Sequence, residues 1–322
     1  MADYGTTALN ATPTETGLIG KVARTVIEGE IVPSLFSGVH KGTLKYGKYL
    51  EIQLRKAAQG YEATGAAATL ANGEMPAHAN DTLATNAGEN YKDTNTLYFK
   101  EWVKKTYSTV LDYDDIDEGA QDEATASREA AAIVDALYQG ATKDANAYAF
   151  INIAGAIATA ATEQKAIVDV GSVAEITDYE TANEWLALVK KIAKKVRRGS
   201  GAVNPADSTA EIPASRVIMV TPADNITGVD VYKRAPSPDN DYTRFDVDEV
   251  IEYDADRYGA MNGATVIADE RWFQFYNKQK NYRENSANVQ GAAGGDAVLC
   301  SLSTRDMYAL CPLFNAAVIK QA

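Results

Sequence analysis

The residue pattern predicts an α+β protein, with helices and strands in separate blocks. Three observations predict it. Residues 48–55 alternate apolar and polar, as a half-buried strand does. Ala124, Ser127, Ala131, Val134, Leu137 and Tyr138 recur at helical spacing. Short β-rich runs then close the chain at 264–268, 297–302 and 316–319.

Taken in order, residues 1 to about 20 are small and polar, with Thr12, Pro13, Thr14 and Thr16 close together, and read as an arm. Val22, Val26, Ile27 and Ile31 suggest a short amphipathic turn before Pro33 and Phe36. In the strand over 48–55, Lys48, Leu50, Ile52 and Leu54 point one way and Tyr49, Glu51, Gln53 and Arg55 the other. A second strand-like stretch runs over 97–111, rich in Tyr, Phe, Trp, Val and Thr. Between them, residues 57–95 are mostly Ala, Gly, Thr, Asn and Glu, with Tyr61, Leu70, Met75, Leu83 and Tyr91 as isolated larger side chains. Such a segment cannot build a core of its own, and connections of this length are generally functional or disordered. As a two-stranded ribbon, each arm of about 18 residues would reach roughly 60 Å. An isolated ribbon is marginal in water, so it needs a surface to lie on.

A polar turn after Tyr113, DDIDEGAQDE, leads into one long or kinked helix over about 119–160, with Gly140 inside it. The next helix carries the strongest signals. Thr177 and Glu180 have capping-box spacing, Ala182, Trp185, Leu186, Val189, Ile192, Ala193 and Val196 form the buried stripe, and Gly199 ends it. A loop with Pro205 and Pro213 then meets an apolar strand over 216–221.

With 322 residues and a 46% hydrophobic fraction, the chain has material for one large folded body or two smaller ones. The opening MADYGTTALN lacks the basic and apolar regions of a secretory signal, and the Ala-rich run over 149–161 is too short to span a bilayer. The two cysteines, Cys300 and Cys311, lie in apolar surroundings and are expected to be reduced and buried, which suits a reducing cytoplasm. Net charge is −13, the wrong sign for gripping nucleic acid. The one dense basic stretch, Lys190, Lys191, Lys194, Lys195, Arg197 and Arg198, falls at a helix C-terminus, where cations complement the dipole. Weak, non-specific contact with DNA is the most it suggests.

No constellation for chemistry emerges. His40 and His78 belong to no metal or base motif, and neither a nucleophile elbow nor a Walker loop is present. Asp112, Asp114 and Asp117, and likewise Asp254, Asp256 and Gly259, begin like calcium loops. Ile116 and Tyr258 then stand where a ligand is needed, so both read as turns. No catalytic residue, cofactor or metal is expected.

The order of parts carries a resemblance. A polar arm, a strand, a long Ala/Gly-rich excursion and a returning strand end in VLDYDDIDEGAQDEATASREAAAIVDAL, followed by KDANAYAF. This resembles the approach to the spine helix in tailed-bacteriophage major capsid proteins of the Hong Kong 97-type fold. Val110, Asp112, Asp114, Asp115 and Asp117 match the acidic turn, and Asp144 the later acid. The resemblance implies an N-terminal arm over 1–43 and an extended hairpin, the E-loop, with its base strands over 44–112. It further implies a P-domain with the spine helix over 113–164, an A-domain over 165–290, and C-terminal strands over 291–322 that return to the P-domain. It implies that Tyr61, Leu70, Met75, Leu83 and Tyr91 contact neighbouring subunits. Hexamers and pentamers would form an icosahedral shell around double-stranded DNA, made in the bacterial host cytoplasm, with a separate scaffolding protein and no membrane. The alternatives are an encapsulin-type compartment, which shares the fold, and, further off, an enzyme with an unrecognised site. Some relatives cross-link an E-loop lysine to a neighbour's asparagine. Here no lysine lies between Ala57 and Tyr91, and Lys92 sits near the loop base, so covalent linkage is not expected.

Overall fold

The computed structural model describes residues 31–44, 49–55, 94–112, 123–160, 166–205, 212–233, 245–285 and 297–322. Its axis is helix α1, Glu123–Ala158, whose 36 residues extend about 54 Å at 1.5 Å per residue. Ala130, Ile133, Leu137, Ala141, Ala145, Ala149, Ile153 and Ile157 run at three- and four-residue intervals along one side and are buried. With so many alanines in that stripe, the helix backbone can lie close to the strands beneath it. Gly140 does not interrupt it; the residue sits over the Tyr107 ring.

Each half of α1 covers a different sheet. The first half packs on Cys300, Leu302 and Ile31, above a four-stranded sheet ordered β1–β9–β10–β4. These strands are His40–Thr43, Phe273–Asn285, Ala297–Leu310 and Val103–Asp112. β1 is parallel to β9 and the other pairings are antiparallel. Between β9 and β10 the register steps from Arg305↔Gln279 to Asp306↔Asn277, which places a bulge at Lys278.

The second half of α1 meets Phe36, Phe273, Phe275 and Tyr308, together with one face of a five-stranded sheet. Its order is β5–β11–β8–β6–β7, from Val168–Val173, Ala316–Gln321, Thr265–Asp269, Val217–Pro222 and Glu249–Tyr253. Ile218, Val220, Val266 and Val318 face α1, whereas Val217, Met219, Ile267 and Ile319 face the core under helix α2, Tyr179–Arg198. Burial on both faces explains why β6 is buried at every position and opens with the apolar run Val217–Val220 instead of alternating. A third helix, α3 (Ala223–Lys233), links β6 to its parallel neighbour β7. A two-stranded ribbon of β2, Leu50–Arg55, and β3, Thr94–Phe99, completes the fold.

The mixed helix-and-sheet class stands, and the buried stripe of α2 is the one expected, residue for residue. Several local readings change. The α2 cap is Asp178 with Thr181, one residue beyond the expected Thr177 and Glu180. The stretch over 97–111 is two strands, since β3 pairs with β2 and β4 with β10, and the chain must turn at 100–102 to change sheets. Helices and strands alternate over 168–253 rather than forming separate blocks. Strands β5, β7 and β9 and helix α3 were not expected. β9, FQFYNKQKNYREN, is too polar to stand out, because only one side of its sheet is covered. β9, within 165–290, pairs in the four-stranded sheet, and β11, within 291–322, pairs in the five-stranded one.

Candidate inter-subunit surfaces

The ribbon base alternates as its sequence requires. Leu50 pairs with Phe99 and Ile52 with Leu97, and Ile52, Leu97 and Phe99 pack against the main core. The other face carries Glu51, Gln53, Tyr49 and Tyr98, all exposed. Tyr49 and Tyr98 meet edge to face with ring centroids 5.4 Å apart, which holds an aromatic pair in solvent at the ribbon's foot. The five residues expected to touch neighbours, Tyr61, Leu70, Met75, Leu83 and Tyr91, lie outside the described residues, as do Asp114, Asp115, Asp117, His78 and Lys92.

Beneath the ribbon base is a cleft of about 330 Å³ lined by Phe99, Val103, Asn152, Ala156, Tyr308 and Leu310. On the opposite flank of α1, a second hollow of about 250 Å³ lies among Lys143, Phe150, Ile151, Arg257, Tyr258 and Met261. Ile151 stands beside it 58% exposed, off the buried stripe of its own helix. At the far end of the molecule, Val231 at 63% and Tyr232 at 39% are exposed on the last turn of α3. Sequence reading missed these positions. A single apolar residue off the stripe of an amphipathic helix was the available signal, and it is a weak one.

Asp144, which matches the later acid of the capsid pattern, ties α1 to the four-stranded sheet. The Tyr107 hydroxyl donates to its Oδ2 at 3.3 Å, and the Lys105 ammonium lies 3.5 Å away. Lys105 also stands 5.3 Å from the centroid of the Tyr148 ring, itself stacked on Tyr308 at an interplanar angle of 4°. The hydrogen bond and charge of Tyr148, then the charge of Asp144, raise the Lys105 pKa. Burial first, then the carboxylates of Asp144 and Asp306, raises that of Tyr107. This cluster fixes the angle between helix and sheet and has no reacting group poised over a cavity.

The basic end of α2 is paired within the chain at Lys194 and Arg197. Lys194 lies 3.5 Å from Asp246, and Arg197 donates to Asp248 at 3.0 Å, while Lys191 and Arg198 are exposed. Asp254 accepts the backbone N–H groups of Asp256 and Arg257, so that segment is a turn. His40 Nδ1 accepts the Gly42 N–H. Cys300 and Cys311 are buried and in no disulfide, and burial pushes the Cys311 thiol up to about 11. Among the described residues no group of three His, Cys, Asp or Glu side chains could hold a metal, and no helix is long and apolar enough to cross a membrane.

Residues 12–320 match the family model of the Phi29-like phage major capsid protein. Two solved structures share the fold. The capsid of Staphylococcus phage Andhra aligns over 92% of this chain and 86% of its own, at TM-score 0.59 and 13% identity. A chain from the structure of the head fibre and inner core protein of native bacteriophage P68 aligns over 89% and 84%, at TM-score 0.56 and 11% identity. No curated protein matches the chain in sequence.

Proposed function

The chain belongs to the Phi29-like phage major capsid protein family, and from that premise we propose that it closes with copies of itself, as hexamers and pentamers, into an icosahedral shell around double-stranded DNA. It is a structural protein of the virion capsid, not an enzyme. The observation that carries the reading is the length of the match: one family model covers residues 12–320. The encapsulin-type alternative has less support, because the matching family is a phage one.

The order of the elements supports a role for each part. The excursion over 57–95, linking the paired strands β2 and β3, is the proposed E-loop, and Tyr61, Leu70, Met75, Leu83 and Tyr91 are its proposed contacts with the next subunit. The four-stranded sheet and α1 form the P-domain. The five-stranded sheet with α2 and α3 forms the A-domain, so β9 and β11 exchange places relative to a division at residue 290. A net charge of −13 suits a container whose wall must not trap its DNA. Assembly in the host cytoplasm, guided by a separate scaffolding protein, completes the proposal.

Co-expression with the neighbouring phage structural proteins, followed by sedimentation and negative-stain microscopy, tests it. Closed shells or tubes are expected, and particles holding nuclease-protected DNA rather than protein cargo separate the phage reading from the encapsulin one. Only monomers or dimers under those conditions would overturn it.

A further inference from the structure

The β9–β10 ladder sets Asp306 opposite Asn277, next to the bulge. Asp306 shares its side of β10 with Cys300, Leu302 and Tyr308, which pack under α1. Both residues are interior, Asp306 at 6% exposure and Asn277 at 2%. The Asn277 amide donates Nδ2–H to the Ile31 carbonyl at 2.6 Å, which fixes its Oδ1 as an acceptor. That Oδ1 has no donor among the described residues, and neither has Asp306 Oδ1. Two adjacent buried acceptors without donors are costly, and a single proton on the acid resolves both.

We propose that Asp306 is held as the neutral acid and donates its proton to Asn277 Oδ1, so that its ionisation loosens the seat of residues 31–39 on the four-stranded sheet. The chain of contacts is short. Asp306 supports the orientation of Asn277, Asn277 holds the Ile31 carbonyl, and Ile31 leads into Phe36 and Val39 of the main core.

The surrounding groups agree with a neutral acid. Tyr107 on β4, Lys280 on β9, and Thr304 and Tyr308 on β10 interact with Asp306 directly, and Asp144 and Tyr148 on α1 interact with Tyr107 and Tyr308 in turn. Lys105 is engaged by Asp144, Lys280 lies over the Tyr138 ring at 5.9 Å, and Lys278 at the bulge lies over Trp102 at 4.6 Å. His40, on β1, is separated from β10 by β9. Burial pushes the Asp306 carboxyl up to about 6, against the opposing pulls of the Thr304 hydroxyl and the Lys280 charge. With the folded value above the unfolded one, the native state binds this proton more tightly. The stabilisation is therefore present at low pH and is lost as pH rises from the ordinary carboxylate range through about 6.

Asp306→Asn tests this, because its amide offers an N–H to the same acceptor at every pH. Purified wild type and variant would be melted at about pH 5 and about pH 7.5, bracketing the transition. The melting gap in favour of the variant should widen at the higher pH. Infrared difference spectra should show wild type losing the carbonyl band of a protonated carboxylic acid, with that signal missing from the variant. A gap of the same size at both pH values, or identical spectra, would overturn the proposal. Should the variant not fold, wild type alone decides. Amide exchange over 31–39, corrected for its intrinsic pH dependence, should rise several-fold across the transition, and an unchanged rate would refute the coupling.

Discussion

At the start of α2 the chain offers two residues in succession, Thr177 and Asp178, that can each cap a helix. The structure uses Asp178, in extended conformation at φ −153° and ψ −177°. Its Oδ1 accepts the Thr181 N–H at 2.8 Å, and the Thr181 hydroxyl accepts the Asp178 N–H at 3.2 Å. Sequence alone showed that a cap was there; which of two adjacent residues served was decided by a backbone conformation that spacing does not encode. Asp178→Ala should lower the melting temperature, whereas Thr177→Ala, whose side chain caps nothing, should leave it within error. The other end of α2 was fully legible, because only one residue there tolerates φ of 77°. A β-carbon on Gly199 would also run into the Ile212 backbone. Gly199→Ala should therefore cost about 2 kcal/mol or more in denaturant unfolding, and a change under about 0.5 kcal/mol would show that the loop over 212–214 simply moves aside.

Among the elements, legibility follows how each one is buried. Helix α2 has one buried stripe and one wet face, so its period was plain. Strand β6 was found because both of its faces are covered and it opens with four consecutive apolar residues, Val217–Val220. Strand β9 was missed for the opposite reason, since polar residues occupy much of a ladder held by neighbours far away in sequence. Helix α3, ADNITGVDVYK, carries a mid-helix Gly228 and β-branched residues, and tertiary packing overrides that weak propensity. The ribbon base is the element on which the assembly proposal turns. Replacing residues 59–89 by a short Gly-Ser turn keeps every pair from Leu50↔Phe99 to Arg55↔Thr94. Loop-closure entropy changes slowly with length, so the trimmed subunit should fold at a cost of about 1 kcal/mol or less. It should nevertheless fail to build regular shells. Thermal melting with electron microscopy decides: normal shells would refute the E-loop assignment, and a collapsed melt would place the segment in the core.

For the molecule as a whole, the exposed apolar side chains are scattered instead of pooled. Tyr49 and Tyr98 stand at the ribbon foot, Ile151 on α1, and Val231 and Tyr232 on α3. Leu35, Val110 on β4 and Tyr179 on α2 add exposed positions on further elements. A subunit built this way is suited to several separate contacts, each modest, whose sum is large once a closed shell supplies every neighbour. Covalent reinforcement is then the remaining question. An isopeptide network needs a lysine where the loop crosses a neighbour, and from Ala57 to Tyr91 there is none. Lys56 and Lys92 sit at the two ends of the excursion, next to the paired strands. If the excursion is the proposed ribbon, with arms of roughly 60 Å, a lysine side chain at its foot cannot serve a partner at its tip. The two cysteines offer no substitute, since both thiols are buried and Cys311 is held well above its ordinary pKa, far from the thiolate needed for exchange. Shells that are boiled and reduced should therefore run as one band at the 34.6 kDa chain mass. A ladder of covalent multimers on that gel would mean that Lys56 or Lys92 reaches a neighbouring chain, and the ribbon would then have to lie with its foot, not its tip, against the adjoining subunit.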